Sequence, residues 1–310
     1  MTYQEACRQV TNRLKELNIE DAASDAWILL EYVTGMDRTR FYVDGMRKMP
    51  EEQEQRYLML AAKREQRIPV QHLTGTQEFM GMEFHVNEHV LVPRQDTEIL
   101  VEAAEQVIRR ITAEKNAGDG EAAGADQAEE HRDAAAEHRD AAANVLDMCT
   151  GSGCIAISLQ ARNPQIRCMA ADISEAALEV ARQNARELGA DVTFVKSDMF
   201  DRIEGSFDLI VSNPPYIPTR VIEELEEEVR LHDPFGALDG REDGLHFYRI
   251  LAELSPRYLK NGGHLYMEIG HDQSEAVEEL LRGAGFEQIR TQKDLAGLDR
   301  VVSGVYNRHS

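Results

Sequence analysis

Val145-Leu-Asp-Met-Cys149-Thr150-Gly151-Ser152-Gly153 is the stretch whose reading decides the fold. Val145 to Cys149 is an apolar run of strand length, and it breaks into a loop with two glycines in three residues. Cys154-Ile-Ala-Ile-Ser-Leu-Gln160 then opens a helix. A second strand, Arg167-Cys-Met-Ala-Ala171, ends on Asp172; a helix spans Glu175 to Leu188; a third strand, Val192 to Val195, ends at Ser197-Asp198. Strand and helix in alternation imply a doubly wound α/β sheet that binds its ligand at the carboxyl ends of the strands. The glycines let backbone approach that ligand, and the helix N-terminus favours a negative group on it. Asp172 stands where an acid chelates two ribose hydroxyls, and Asp198 where an acceptor meets an adenine amino group.

A fourth strand leads to the chemistry. Phe207-Asp-Leu-Ile-Val-Ser-Asn213-Pro-Pro-Tyr216 begins apolar and β-branched and then meets two prolines, which cannot donate ladder hydrogen bonds. The strand therefore gives way to a rigid turn offering two acceptors, the Asn213 side-chain oxygen and the Pro214 carbonyl. An NH2 group held between them has both hydrogens engaged and its nitrogen aimed outward. As a bare tetrapeptide this is also an ordinary strand-terminating turn. Beside the glycine loop it reads as a device for making a planar nitrogen accept a carbon. The loop runs D-x-x-T-G-S-G and lacks the GxGxxG spacing that a dinucleotide pyrophosphate wants, and an acceptor turn has no task in hydride transfer. A nucleoside with a sulfonium and an amino-acid tail fits better than NAD, and that ligand is S-adenosyl-L-methionine.

The rest of the 310 residues suggests a second, smaller domain. Residues 2–17 place Ala6, Val10, Leu14 and Leu17 at helical spacing; residues 21–34 do so with Ala26, Leu29, Leu30 and Val33, Trp27 nearby; residues 51–67 form another amphipathic stretch. Residues 1–74 are therefore expected to be a helical bundle that docks a macromolecular substrate. Residues 75–98 alternate apolar and polar as a β-hairpin connector, with Asn87-Glu88 as its turn, and Asp96 or Thr97 as the cap of a linking helix over residues 99–113. Residues 114–143 carry the direct repeat Glu130-His-Arg-Asp-Ala-Ala-Ala136 and Glu137-His-Arg-Asp-Ala-Ala-Ala143, with nine acids against three Lys or Arg. Such a composition reads as a low-complexity insertion, and residues 144–310 as the ligand-binding domain.

Composition bounds the function classes. The net charge of −22 counts against a broad grip on nucleic acid, and no direct nucleic-acid binding is expected. No apolar run is long enough to span a membrane, and Met-Thr-Tyr-Gln-Glu-Ala lacks the layout of a signal peptide. The four cysteines show no zinc spacing, so they read as reduced thiols of a cytoplasmic protein with no metal site.

Further stretches carry a resemblance. Pro69-Val-Gln-His-Leu-Thr-Gly75, Glu78-Phe-Met-Gly81, Val92-Pro-Arg-Gln-Asp-Thr-Glu98, the loop at 147–153, Asn213–Tyr216, Ala237-Leu-Asp-Gly240 with Asp243-Gly-Leu245, Gly262-Gly263 with Glu268-Ile-Gly270, and Lys293-Asp-Leu-Ala-Gly297 resemble, in order, the HemK-like protein-(glutamine-N5) methyltransferases. The resemblance implies a Rossmann-like class I methyltransferase sheet with a small N-terminal helical bundle domain. It also implies a glutamine amide in the Gly-Gly-Gln loop of class 1 peptide chain release factors as methyl acceptor. Cys149, Thr150, Gly151, Ser152, Gly153, Asp172, Asp198 and Asn213 would line the methyl donor, and by family position Met199 would border its adenine. Asn213, Pro214, Pro215 and Tyr216 would hold the acceptor, with Asn213 catalytic and Tyr216 packed on the substrate side chain. Glu268 and Asp239 are at least as readily strand-end and loop hydrogen bonding. The family usually has glycine where this chain has Cys149, proline where it has Gln95 and glycine where it has Arg241. A glutamine methyltransferase acting on a ribosomal protein shares the chemistry. A nucleic-acid adenine-N6 methyltransferase shares the turn but would need a basic cleft.

Overall fold

The computed structural model describes residues 1–122 and 143–308, and within them the chain divides into two compact units. The first comprises Met1–Gln77, Val86–Glu88 and Leu225–Asp233. Its helices are Tyr3–Glu16, Ala22–Thr34, Arg38–Asp44, Glu51–Arg64 and Val70–Thr74, with Glu227–His232 added from far along the chain. The Thr2 hydroxyl accepts from the Glu5 N–H while the Glu5 carboxylate accepts from the Thr2 N–H, a capping box that fixes where the first helix starts. Ala6, Val10 and Leu14 bury one stripe of it against Ala26, Leu29, Leu30 and Tyr57. Leu17, expected in that stripe, is 41% exposed because the helix has ended and Leu17 is its C-cap.

The acidic run Glu223–Glu228 divides. Glu223, Glu224, Glu226 and Glu227 are exposed, but Glu228 reaches Arg64. Arg64 is buried and also donates to Asp25 Oδ2 at 2.7 Å. Burial pushes the Asp25 carboxyl up, and the Arg64 guanidinium pulls it back.

The second unit holds a seven-stranded sheet, and a two-stranded sheet is also present. β1 (Thr76–Phe79) and β2 (Met82–His85) are joined through Met80-Gly81, whose φ values of 53° and 75° make a primed turn suited to a hairpin. The hairpin is present, but its turn lies here and not at Asn87-Glu88, which comes after β2. Gly81 takes the left-handed conformation without cost, and that decides the register. The large sheet comprises β3 (Asn144–Met148), β4 (Arg167–Asp172), β5 (Val192–Lys196), β6 (Phe207–Ser212), β7 (Leu259–Glu268), β8 (Phe286–Lys293) and β9 (Asp299–Tyr306), in the order β5-β4-β3-β6-β7-β9-β8. Strands β3 to β7 pair in parallel, and β9 runs antiparallel between β7 and β8. The strand order reverses between β3 and β6, so the topological switch point falls between the glycine loop and the Asn-Pro-Pro-Tyr turn.

Successive strand residues feed two cores. Val145, Leu209 and Val211 pack with Phe79, Phe84, Leu100 and Ile157 on one face, while Leu146, Met148, Ile210 and Leu265 pack with Tyr248, Leu251 and Val277 on the other. The helix expected over 99–113 runs Glu98–Ala122, into the segment expected as an insertion. The rest of that insertion, including both copies of the repeat up to residue 142, lies outside the described residues. Among those described, no helix is long and apolar enough to cross a membrane.

Arg64→Ala leaves Asp25 buried without its cation and is expected to cost the first unit about 3–5 kcal/mol. Trp27, the single tryptophan and buried in that unit, reports the urea transition by its fluorescence. A loss below about 1 kcal/mol, the range of an exposed pair, would contradict the assignment of a buried charge network.

Candidate active site

Five parallel strands deliver their carboxyl ends to one edge of the sheet. β3 releases the chain at Cys149, whose φ of 64° is one that a side chain rarely adopts. That explains physically why glycine suits this position. The loop is then tied down from within. Thr150 N–H donates to the Ala171 carbonyl at 3.0 Å, Gly153 N–H to the Thr150 carbonyl at 2.9 Å, and the Thr150 hydroxyl to Asp147 Oδ2 at 2.6 Å. The two glycines differ in task. A Cβ on Gly153 would stand 3.1 Å from the Ala181 Cβ, so this glycine lets the helix Glu175–Leu188 lie close against the loop. A Cβ on Gly151 would meet nothing within 4 Å, so this glycine opens onto space that a ligand can use.

Asp172, at the end of β4, accepts the Gly151 N–H at Oδ2 and the Ser174 N–H at Oδ1, both at 2.9 Å. Each carboxylate oxygen keeps acceptor capacity for a hydroxyl. Burial raises its pKa, and the backbone donors oppose that shift. Asp198 is exposed beyond β5, and the neighbouring Met199 is buried with φ 45°. Met199 Sδ lies 3.9 Å from Cys149 Sγ, so the two atypical backbone positions meet at their sulfurs. Burial, with Asp172 and Asp147 nearby, pushes the Cys149 thiol up and keeps it neutral. Asn184, unforeseen from the sequence, is fully buried; its Nδ2 donates to the Ser152 carbonyl at 2.9 Å and to the His85 carbonyl at 3.1 Å. One side chain thereby holds the glycine loop and the end of β2 together.

The Asn213–Tyr216 turn leaves β6 beside this loop, its root fixed by the Ser212 hydroxyl on the Met148 carbonyl at 2.7 Å. Pro214 and Pro215 are buried, and Asn213 and Tyr216 are half-buried. The turn is braced from behind by two glycines. A Cβ on Gly240 would come within 2.7 Å of the Tyr216 carbonyl carbon, and one on Gly244 within 2.3 Å of its oxygen. That oxygen accepts from Gln273 Nε2 at 3.0 Å. Asp239 accepts from the Thr219 hydroxyl at 2.6 Å and from the Arg241 backbone and guanidinium at 3.0 Å each. Its work is thus loop bonding. Arg241 has φ 70°, which again accounts for glycine as the residue that suits the position. Gln95 opens the short turn Gln95–Thr97, an N1 position where proline loses nothing.

Two further residues join the turn. Thr97 does not cap the linking helix; it is buried, and its Oγ1 accepts from Asn213 Nδ2 at 3.3 Å. Glu268, 2% exposed at the end of β7, faces the Thr97 hydroxyl and the Asn213 amide. Burial raises its pKa to about 7 against the pull of Thr97, Arg300 and Asn213. Asp147 is raised likewise to about 7, and its Oδ1 finds no hydrogen-bond partner among the described residues. Beside the switch point, Gly151 bares backbone next to Asp172, whose oxygens keep acceptor capacity. Acceptors for hydroxyls and amino groups, with a glycine-bared backbone, suit a nucleoside that carries a cationic centre and an amino-acid tail.

The raised carboxyls set a pH dependence. An acid whose folded pKa exceeds its unfolded one stabilises the fold at low pH, and that contribution is lost as pH climbs through the folded value. Thermal stability is therefore expected to fall between 4.5, the ordinary glutamate value, and about 7, and Glu268→Gln to flatten the fall. An unchanged slope in Glu268→Gln would contradict the buried carboxyl. Separately, Gly240→Ala is expected to cost about 1–3 kcal/mol by displacing Tyr216. Gly236→Ala, at a position with nothing within 4 Å, should stay within about 0.5 kcal/mol in the same denaturation series.

Known proteins resemble this chain along most of its length. Residues 5–75 match the family described as PrmC N-terminal domain, and residues 132–227 that described as Methyltransferase small domain. The chain is 39% identical over 310 residues to a release factor glutamine methyltransferase of Caulobacter vibrioides, covering 99% of this chain and 97% of the relative. It is 39% identical over 292 residues to that of Geobacter sulfurreducens, covering 94% and 92%. A solved protein-(glutamine-N5) methyltransferase (release factor-specific) of Alicyclobacillus acidocaldarius is 28% identical, with a TM-score of 0.39, covering 73% of this chain and all of that one. On the strength of the two sequence relatives, this chain belongs to the release factor glutamine methyltransferase family.

Proposed function

We propose that this protein transfers a methyl group from S-adenosyl-L-methionine to the side-chain amide nitrogen of the glutamine in the Gly-Gly-Gln loop of class 1 peptide chain release factors. The observation that carries this reading is the acceptor turn: Asn213-Pro-Pro-Tyr216, held rigid at the end of β6 next to the glycine loop of β3, in a chain of this family. In this reading Cys149–Gly153, Asp172, Asp198, Met199 and Asn213 hold the methyl donor, and Asn213–Tyr216 hold the acceptor. The helical unit docks the release factor, which carries with it a cytoplasmic location.

An amide nitrogen is a poor nucleophile because its lone pair is delocalised into the carbonyl. The bound donor supplies an electrophilic methyl on a sulfonium. The task of this chain is orientation. Asn213 Oδ1 and the Pro214 carbonyl accept the two hydrogens of the glutamine NH2 and turn the nitrogen toward the methyl. As the new N–C bond forms and the C–S bond breaks, positive charge grows on the nitrogen, and both acceptors gain strength at that moment. The methylated amide then sheds its proton to water, so no strong general base is required. Tyr216 closes the apolar side on the glutamine methylenes. Burial raises the pKa of its hydroxyl, which keeps that wall uncharged.

The test is mass spectrometry of the tryptic loop peptide after reaction with a release factor. One added methyl on the loop glutamine is expected, absent when that glutamine is alanine. Asn213→Ala should lower kcat about 100-fold or more while leaving donor binding within a few-fold. Donor binding without any methylated loop peptide would overturn the release-factor assignment, and a ribosomal protein would be the next acceptor tried.

A further inference from the structure

Thr97, Asn213 and Glu268 come from three different parts of the second unit and converge on one spot. Ser212 on β6 is the register partner of Met267 on β7, so the next residues along these parallel strands, Asn213 and Glu268, leave the sheet side by side. Thr97 comes over them from the turn before the long helix. Glu268 is held firmly: its backbone pairs with Val301, and its carbonyl accepts the Tyr248 hydroxyl at 3.0 Å. The side chain is almost fully buried, yet Oε2 has no hydrogen-bond partner among the described residues. Arg300, a cation whose charge acts on it, makes its ion pairs with Asp294 at 2.9 Å and Asp96 at 3.2 Å. A buried carboxylate left this poorly compensated costs stability and calls for an explanation.

The order of donors and acceptors supplies one. Asn213 Nδ2 gives a hydrogen to Thr97 Oγ1, and the Thr97 hydroxyl and the Asn213 amide are the neutral polar groups that face Glu268. A carboxylate can only accept, so hydrogens point toward Glu268 throughout. With its NH2 group committed to this side, the Asn213 amide can offer only its oxygen elsewhere. We propose that Thr97 and Glu268 are positioning residues that lock the Asn213 amide with Oδ1 toward the acceptor nitrogen and polarise it through a hydrogen-bonded chain.

The electronic argument is elementary. Drawing on the N–H bonds of an amide with a negative acceptor shifts nitrogen lone-pair density into its carbonyl, so the oxygen carries more negative charge. Chained hydrogen bonds strengthen one another by about 10–30% per bond in a low-dielectric setting. Above pH about 7, where Glu268 is ionised, its negative charge is thus presented at Asn213 Oδ1, facing the nitrogen that becomes positive. A flipped Asn213 would set an NH2 group against the glutamine NH2 and abolish acceptance.

This inference rests on the function proposed above, and two readouts separate their failures. The first needs no turnover: the Asn213 side-chain amide resonances, identified by their loss in Asn213→Asp, are recorded in the wild type, Thr97→Val, Thr97→Ser and Glu268→Gln. Strong downfield shifts are expected in the wild type and Thr97→Ser, and their loss in Thr97→Val and Glu268→Gln. The second is steady-state kinetics with a release factor: kcat is expected to fall about 10-fold or more in Thr97→Val and Glu268→Gln, with KM for the methyl donor unchanged and Thr97→Ser restoring most of the rate. Glu268→Gln should keep or raise the melting temperature above neutral pH, which separates the effect from misfolding. Unshifted amide resonances in the wild type, or full kcat in both disrupting variants, would overturn the relay. Shifted resonances in a protein that methylates no release factor would support the relay and sink only the substrate assignment.

Discussion

Everything about this site depends on a strand being stopped at a fixed place. β6 is bonded on both sides, to β3 and β7, up to Ser212, and then two prolines remove the donors that would continue the ladder. The chain must turn, and it turns at the switch point, where the neighbouring β3 ends in a glycine loop. Asn213 inherits its position from two hydrogen-bonded neighbours and not from a flexible loop. Such a residue can serve as a preorganised acceptor, because its orientation costs nothing at the moment of reaction.

The surroundings keep that turn rigid by close approach. Gly240 and Gly244 let backbone lie against Tyr216 where any Cβ would collide, and Gln273 pins the Tyr216 carbonyl. Asp239 gathers Thr219 and Arg241 just beyond. On the far side the glycine loop is held by Asp147, Asp172 and Asn184, each through backbone donors or acceptors. Two walls are built separately on either side of the switch point, and on the glycine-loop side Met199 and Cys149 are in sulfur contact. Left-handed backbone at Cys149, Met199 and Arg241 is strain stored at this end of the sheet.

Much of this is legible in the sequence, for physical reasons. The β3-to-β6 half alternates buried strands with amphipathic helices, so its periodicity is unambiguous, and the helix Glu175–Leu188 falls where its spacing puts it. The end of β6 announces itself because two prolines after a β-branched run cannot continue the ladder. Composition misplaces the hairpin turn because Asn87-Glu88 has turn character, whereas Met80 adopts a left-handed φ only because the hairpin imposes it. β7, β8 and β9 do not stand out: β7 opens with Leu259-Lys-Asn-Gly-Gly263, and β8 is mostly exposed, so neither shows a clean period. Thr97 and Glu268 read locally as cap and strand-end residues, since only the β6–β7 register and the fold of residues 94–97 bring them to Asn213. Nothing local in Glu223–Glu228 tells Glu228 apart from its exposed neighbours; its partner, Arg64, lies 164 residues earlier.

The central claim is that Asn213 Oδ1 and the Pro214 carbonyl together hold the acceptor nitrogen. It is tested most directly by a crystal structure of the protein with S-adenosylhomocysteine and a glutamine-bearing release-factor loop. The account predicts both oxygens within about 2.7–3.2 Å of the glutamine amide nitrogen, with Asn213 Nδ2 still on Thr97. A glutamine bound with its carbonyl oxygen toward Asn213, or held elsewhere on the sheet edge, would contradict it.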